Sequence, residues 1–204
     1  MRYPNFGEER KLWRKGINSV VGIDEAGRGP LAGPVVAVAV LVFGNGIKDL
    51  KGVKDSKEIS FLERERLYNE IINHPQIEWG IGRVSEKVID KINILQATKL
   101  AMKRAVKNLE KKYSGAEYLL IDGNFGIDLD IPQKFIIKGD QKVFSCAAAS
   151  IVAKVSRDRM MMRYHKKYPE YGFNRHKGYG TRIHREAIKK CGFCNIHRKT
   201  FHVS

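Results

Sequence analysis

Nine consecutive apolar residues, Val35-Val-Ala-Val-Ala-Val-Leu-Val-Phe43, form the most hydrophobic stretch of the chain. Their length and β-branched content predict a strand buried on both faces. Val20 to Asp24 predicts a shorter strand before it. Ile77 to Val84, Tyr118 to Asp122 and Phe135 to Ile137 predict three more, although Gly80 and Gly82 weaken the first of these. Other segments have helical spacing. Residues 8 to 15 predict a short leading helix, and Ser60 with Glu63 has the capping-box pattern of a helix running to about Asn73. Between about Ile92 and Lys112, Leu95, Met102, Val106 and Leu109 recur on one helical face. Phe144 to about His165 predicts a long helix whose small residues, Ala147 to Ala153, suit tight packing on a sheet. A turn-rich stretch follows, then a last helix over about Thr181 to Lys190 and a basic tail.

Three strands come early, helices and strands then alternate, and the end is helical. That order predicts an α/β protein with a mixed sheet rather than a purely parallel one. A chain of 204 residues with 43% hydrophobic content can bury a real core. No repeat, low-complexity segment or linker divides it, so one domain is expected over residues 1–204, with about 155–204 a basic helical C-terminal part. No apolar run has the length of a membrane span, and no signal-peptide core follows the N-terminus. A soluble, cytoplasmic protein without a membrane partner is expected, monomeric by default. Cys146, Cys191 and Cys194 are too few for a disulfide framework. Cys191 and Cys194 with His197 make half of a zinc site, which only His184 or His202 could complete. Reduced thiols are the better reading.

Charge changes the picture. The formal net charge is +16, and residues 154 to 204 hold fourteen Lys or Arg against three acids, Asp158, Glu170 and Glu186. Tyr164, Tyr168, Tyr171, Phe173 and Tyr179 are interleaved with them. A concentrated basic segment bearing aromatic rings points to a polyanion, most simply nucleic acid.

The acids point the other way, to a cation. Asp24 and Glu25 stand where a strand runs into Gly27-Arg28-Gly29, and Asp122 ends another apolar run. Asp140 follows Phe135-Ile-Ile-Lys-Gly. If the backbone leaves the strand between Asp24 and Glu25, both can converge on one pocket. If the strands ending in Asp24 and Asp122 are parallel neighbours, those two acids meet at one sheet edge. Four carboxylates gathered there would repel one another unless hard divalent cations neutralised them, and oxygen-only ligands suit Mg²⁺ or Mn²⁺. Two such ions roughly 3.5–4 Å apart can clamp a phosphodiester. An acidic centre in a basic surround therefore reads as metal-dependent phosphodiester hydrolysis. Gly27, Gly29 and Ala32 also fit a loose dinucleotide-binding pattern, but a strand rather than a helix follows, and two acids would repel a pyrophosphate.

Gly22-Ile-Asp-Glu-Ala-Gly-Arg-Gly-Pro-Leu-Ala-Gly-Pro-Val35 resembles the opening motif of the ribonuclease HII family. Asp55-Ser-Lys57, Asp122-Gly-Asn124, Lys138-Gly-Asp140, Ala147-Ala-Ala-Ser-Ile-Val-Ala-Lys154, Tyr171-Gly-Phe173, His176-Lys-Gly-Tyr-Gly-Thr181 and His197-Arg-Lys-Thr-Phe201 resemble later motifs in the same order. The resemblance implies a ribonuclease H-like fold, a five-stranded mixed sheet flanked by helices. It implies cleavage of the RNA strand of RNA–DNA hybrids and nicking 5′ of ribonucleotides embedded in duplex DNA, leaving 3′-hydroxyl and 5′-phosphate ends. The catalytic, metal-holding acids would be Asp24, Glu25, Asp122 and Asp140. Gly27, Arg28 and Gly29 would read the 2′-hydroxyl, and Tyr179 would stack on the following sugar. Lys54, Ser56 and Lys57 would meet phosphates, and a sliding clamp is a candidate partner. Lys199-Thr200 stands where the family more commonly has Arg-Ser. Two rivals are a silent nucleic-acid-binding module and another nuclease of the same fold class, such as a junction-resolving enzyme. The module would not need acids at strand ends, and the other nuclease would not need the Gly-Arg-Gly turn or the tyrosine.

Overall fold

The computed structural model describes residues 3–43, 50, 52–53, 56, 59–113 and 115–203. Lys54 and Lys57, expected to meet phosphates, lie outside the described residues. Five strands form one sheet: β1 (Val20–Ala26), β2 (Val35–Val42), β3 (Ile77–Val84), β4 (Tyr118–Asp122) and β5 (Gln133–Ile136). Their order is β3-β2-β1-β4-β5. β1 runs antiparallel to β2 and β2 to β3, whereas β1, β4 and β5 are parallel. The five-stranded mixed sheet that was expected is present. Ile23 stands opposite Ile121, so the aspartates that follow them lie side by side at one edge.

Strand periodicity sorts the core into two layers. Val35, Ala37, Ala39 and Leu41 of β2 face α3 (Glu86–Glu110) together with Val21, Ile23, Leu119 and Ile121. Val38, Val40 and Val42 face α2 (Phe61–Ile72) and α4 (Phe144–Lys167). The glycines in β3 have a packing cause. A Cβ at Gly82 would lie 2.0 Å from the Ala101 carbonyl oxygen, and one at Gly80 would lie 2.3 Å from that of Ala105. Helix α3 therefore sits closer to β3 than any side chain there would allow. On the other face, Ala147, Ala148 and Ala149 let α4 approach β1 and β2 in the same way.

Two expectations about local structure are corrected. Helix α3 begins at Glu86, not near Ile92, and breaks at Asn93, whose φ is 62°. The Asn93 side chain accepts from the N–H groups of Leu95 and Gln96 and so caps a second helical segment. Leu95, in the first turn after the break, is exposed. Strand β1 also continues past Asp24, since Glu25 pairs with Ala37 and Ala26 with Val36. Asp24 and Glu25 consequently alternate faces, Asp24 toward α4 and Glu25 toward α3.

Helix α1 (Gly7–Trp13) buries Glu9, which accepts from the N–H and hydroxyl of Ser145 at the start of α4. After α4 the chain makes the short helix α5 (Phe173–His176) and then α6 (Arg182–Cys191). Leu31, Ala32, Met161, Tyr171, Phe173, Ile188 and Ile196 form the apolar cluster that holds this C-terminal part against the turn after β1.

Candidate active site

Asp24 lies in β1 two residues before its end, Asp122 closes β4, and Asp140 sits in a 3-10 turn (Gly139–Gln141) just before α4. Carboxylate oxygens of the three lie within 4.8 Å of one another. Asp24 and Asp140 are buried. The Gly139 N–H donates to Asp122 Oδ1 at 2.7 Å, which ties the end of β4 to the turn carrying Asp140. The Glu25 N–H donates to Asp24 Oδ1 at 2.6 Å.

Burial raises the Asp24 carboxyl well above its usual range, and the charges of Glu25 and Asp122 raise it further, against hydrogen bonds from Ser150 and the Glu25 N–H. Glu25 is raised by burial and by Asp122, while Arg28 opposes the shift. Its carboxylate lies 3.3 Å from Arg28 Nη1, and the Arg28 guanidinium lies over the Phe125 ring. Glu25 thus faces the cluster's cavity from the α3 side without joining the three-aspartate group.

Closely packed carboxylates with elevated proton affinity are the arrangement that a cation would relieve. The donor set is all oxygen, which fits a hard divalent ion such as Mg²⁺ or Mn²⁺. Among the described residues, no group of three or more metal-ligating side chains includes Cys191 or Cys194. Cys194 Sγ instead lies 3.1 Å from His197 Nδ1, and Cys191 is exposed.

Asp24, Glu25 and Asp122 line a cavity of about 540 Å³ whose walls also include Gly27, Arg28, Gly29, Ser56, Lys154 and Tyr179. Ser56 is buried, with its Oγ 3.0 Å from that of Ser150. The two glycines of the turn differ in what they exclude. Gly27 has φ +99°, and a Cβ there would lie 2.1 Å from Arg157 Nε, so the protein itself demands glycine. At Gly29 a Cβ would meet only Tyr179 Cε1, at 3.8 Å. That space is open to a ligand. Tyr179 borders it and is 43% exposed.

Two buried arginines, both among the fourteen basic residues of the segment expected to meet a polyanion, hold this turn. Arg198 donates to the carbonyls of Gly27 (2.6 Å), Arg28 (2.9 Å) and Gly33 (2.8 Å). Arg157 donates to those of Ala32, Pro34 and Lys177, each at 3.0 Å. Burial lowers their pKa values to about 9 and about 10, with the Arg157 charge adding to the shift at Arg198, so both stay charged at neutral pH. The supposed basic tail is therefore partly a structural clamp. Its one sequence signal was Arg198 within His197-Arg-Lys-Thr-Phe201.

Residues 21–204 match the family model described as Ribonuclease HII. A ribonuclease HII from Geobacter metallireducens is 50% identical over 210 residues, covering 98% of this chain and 96% of that protein. Two solved structures have the same fold. A ribonuclease H2 from Pyrococcus horikoshii is 29% identical with a TM-score of 0.72, covering 91% of this chain and 94% of its own. A ribonuclease HII from Archaeoglobus fulgidus, solved as a complex with PCNA, is 26% identical with a TM-score of 0.73, covering 91% and 96%.

Proposed function

The chain belongs to the ribonuclease HII family, and from that premise we propose that it nicks duplex DNA on the 5′ side of embedded ribonucleotides, using divalent metal ions. Family membership makes it a ribonuclease H, an endonuclease that hydrolyses RNA–DNA hybrids. The finer reading rests above all on one observation: Asp24 and Asp122 of the three-aspartate cluster line the same cavity as Gly29 and Tyr179.

In this reading Asp24, Glu25, Asp122 and Asp140 are the catalytic and metal-holding residues. When bound there, Mg²⁺ or Mn²⁺ supplies the positive charge that activates water and steadies the leaving oxygen of a phosphodiester. The chain's own residues select where that chemistry falls. Arg28 and the backbone of Gly27 and Gly29 meet the ribose, and the open space above Gly29 admits a 2′-hydroxyl. Tyr179 stacks on the next sugar and favours one without that hydroxyl. Lys54, Ser56 and Lys57 contact phosphates. The whole chain acts as one domain, with 155–204 helping to grip the duplex. The products carry 3′-hydroxyl and 5′-phosphate ends, and the reaction begins ribonucleotide excision in the cytoplasm. The PCNA complex of the Archaeoglobus fulgidus protein supports keeping a sliding clamp among candidate partners.

The test uses three duplexes of one sequence: all DNA, DNA with a single ribonucleotide, and an RNA–DNA hybrid. The proposal expects cutting of the hybrid and one nick 5′ of the single ribonucleotide, with all-DNA duplex intact. Nicking of all-DNA duplex would refute the ribonucleotide reading.

A further inference from the structure

Next to Tyr179, His176, His184 and His197 are buried together. The rings of His176 and His184 stack with centroids 4.4 Å apart. His184 Nε2 lies 3.0 Å from His197 Nε2. Two backbone groups at the ends of this cluster settle where its protons sit. The Cys194 N–H can only donate, and it does so to His197 Nδ1 at 2.9 Å. A neutral His197 then carries its proton on Nε2 and donates to His184 Nε2. His184 in turn keeps its proton on Nδ1, 3.0 Å from the Tyr179 carbonyl oxygen, which can only accept. The relay runs in one direction, from Cys194 through His197 and His184 to Tyr179. Burial lowers the proton affinity of all three rings, which keeps the relay neutral.

The third ring holds the approach to the same residue. His176 accepts from the Gly178 N–H at Nδ1 and faces the Tyr171 carbonyl through Nε2 at 2.8 Å. Lys177 and Gly178 both have positive φ, 51° and 89°, a conformation that needs outside support at the lysine. The Gly178 carbonyl accepts from the Leu31 N–H at 2.8 Å, which joins this loop to the turn after β1. Tyr179 is 43% exposed, so packing fixes its ring only in part. Its direction comes from a backbone whose carbonyl is shared by the Thr181 N–H and His184.

We propose that His184 and His197 are positioning residues that aim Tyr179 across Gly29 and thereby set the enzyme's preference for deoxyribose after the ribonucleotide. The inference rests on the role given to Tyr179 above. Substituting His184→Asn leaves an amide donor near the position of Nδ1, whereas His184→Leu removes it.

Steady-state kinetics on the single-ribonucleotide duplex, and on an RNA–DNA hybrid whose following sugar carries a 2′-hydroxyl, would compare the wild type with both variants, with Tyr179→Ala, and with the His184→Leu/Tyr179→Ala double variant, the ratio of the two substrates giving the preference. Circular dichroism would check each fold, and His197→Gln replaces His184→Leu should the latter fail to fold. The expected result is KM raised about tenfold in His184→Leu with kcat nearly unchanged, and recovery of most of that loss in His184→Asn. The double variant should be no worse than Tyr179→Ala alone, as for residues acting through one another. Additive losses, an Asn variant as impaired as Leu, or a loss confined to kcat would overturn the proposal while leaving the nuclease reading intact. A Tyr179→Ala variant with wild-type preference would remove the role of Tyr179 and this inference with it. A wild type that nicks nothing would instead refute the parent reading, and so the proposal.

Discussion

Arg198 Nη2 lies 2.6 Å from the Gly27 carbonyl oxygen, a hydrogen bond between residues 171 positions apart. The same guanidinium also reaches Arg28 and Gly33, so the C-terminal segment fixes the shape of the turn that follows β1. Removing the fork would leave several buried carbonyls without donors. Arg198→Met should therefore lower stability by about 3–5 kcal/mol, measured by chemical denaturation. Arg198→Lys should recover little of it, because a compact ammonium cannot serve three carbonyls in fork geometry.

The two glycines of the turn should separate stability from function. Gly27→Ala places a Cβ against Arg157 at a positive φ, so it should cost at least about 2 kcal/mol. Gly29→Ala meets nothing closer than ordinary contact in the protein, so melting should shift by no more than about 0.5 kcal/mol in equivalent free energy. Its effect should appear as slower nicking at a ribonucleotide. Parallel melting curves and nicking rates for both variants check the contrast.

Without metal, the acid cluster should behave as a liability. The Asp24 carboxyl is raised in the folded protein, so the native state binds more protons there than the unfolded chain does. Its contribution is most favourable at low pH and declines as pH rises from the ordinary aspartate range through the raised value. In chelator at neutral pH, Asp24→Asn should melt above the wild type. Adding Mn²⁺ should raise the wild-type melting temperature more than the variant's. Differential scanning fluorimetry in the two conditions measures both.

The buried histidines should act in the opposite sense. His184 is held down to about 4 by burial, against an ordinary value of 6.5. Between those values the unfolded chain takes up a proton that the folded chain refuses, so stability falls as pH drops from about 6.5 toward 4. Denaturation midpoints across that window should slope less in His184→Asn than in the wild type.

What the sequence revealed, and what it hid, follows from whether a feature is local. Apolar runs ending in Asp24 and Asp122 announced two strands, and their parallel pairing brought the acids together as expected. The small residues of α4 were equally legible as a close-packed face. The break at Asn93 was not, since it depends on a left-handed backbone that the helical spacing of Met102, Val106 and Leu109 conceals. The separation of Asp24 and Glu25 onto two faces depended on β1 continuing through its pairing with β2, which no local pattern specifies. Arg157 and Arg198 look like any other basic residues until the fold supplies carbonyls on every side. The histidine relay likewise joins residues that the chain keeps apart, 179, 184, 194 and 197, in an order only folding creates.

The most direct test is metal-dependent nicking of duplex DNA carrying one ribonucleotide, measured after EDTA treatment and during titration with Mg²⁺ or Mn²⁺. The wild type should be silent in chelator and recover as ion is added, whereas Asp24→Asn should bind the duplex yet cut at least about 10³-fold more slowly at saturating ion. Cutting in chelator, or a variant with the wild-type rate, would contradict the assignment of the aspartate cluster as the metal-holding catalytic centre.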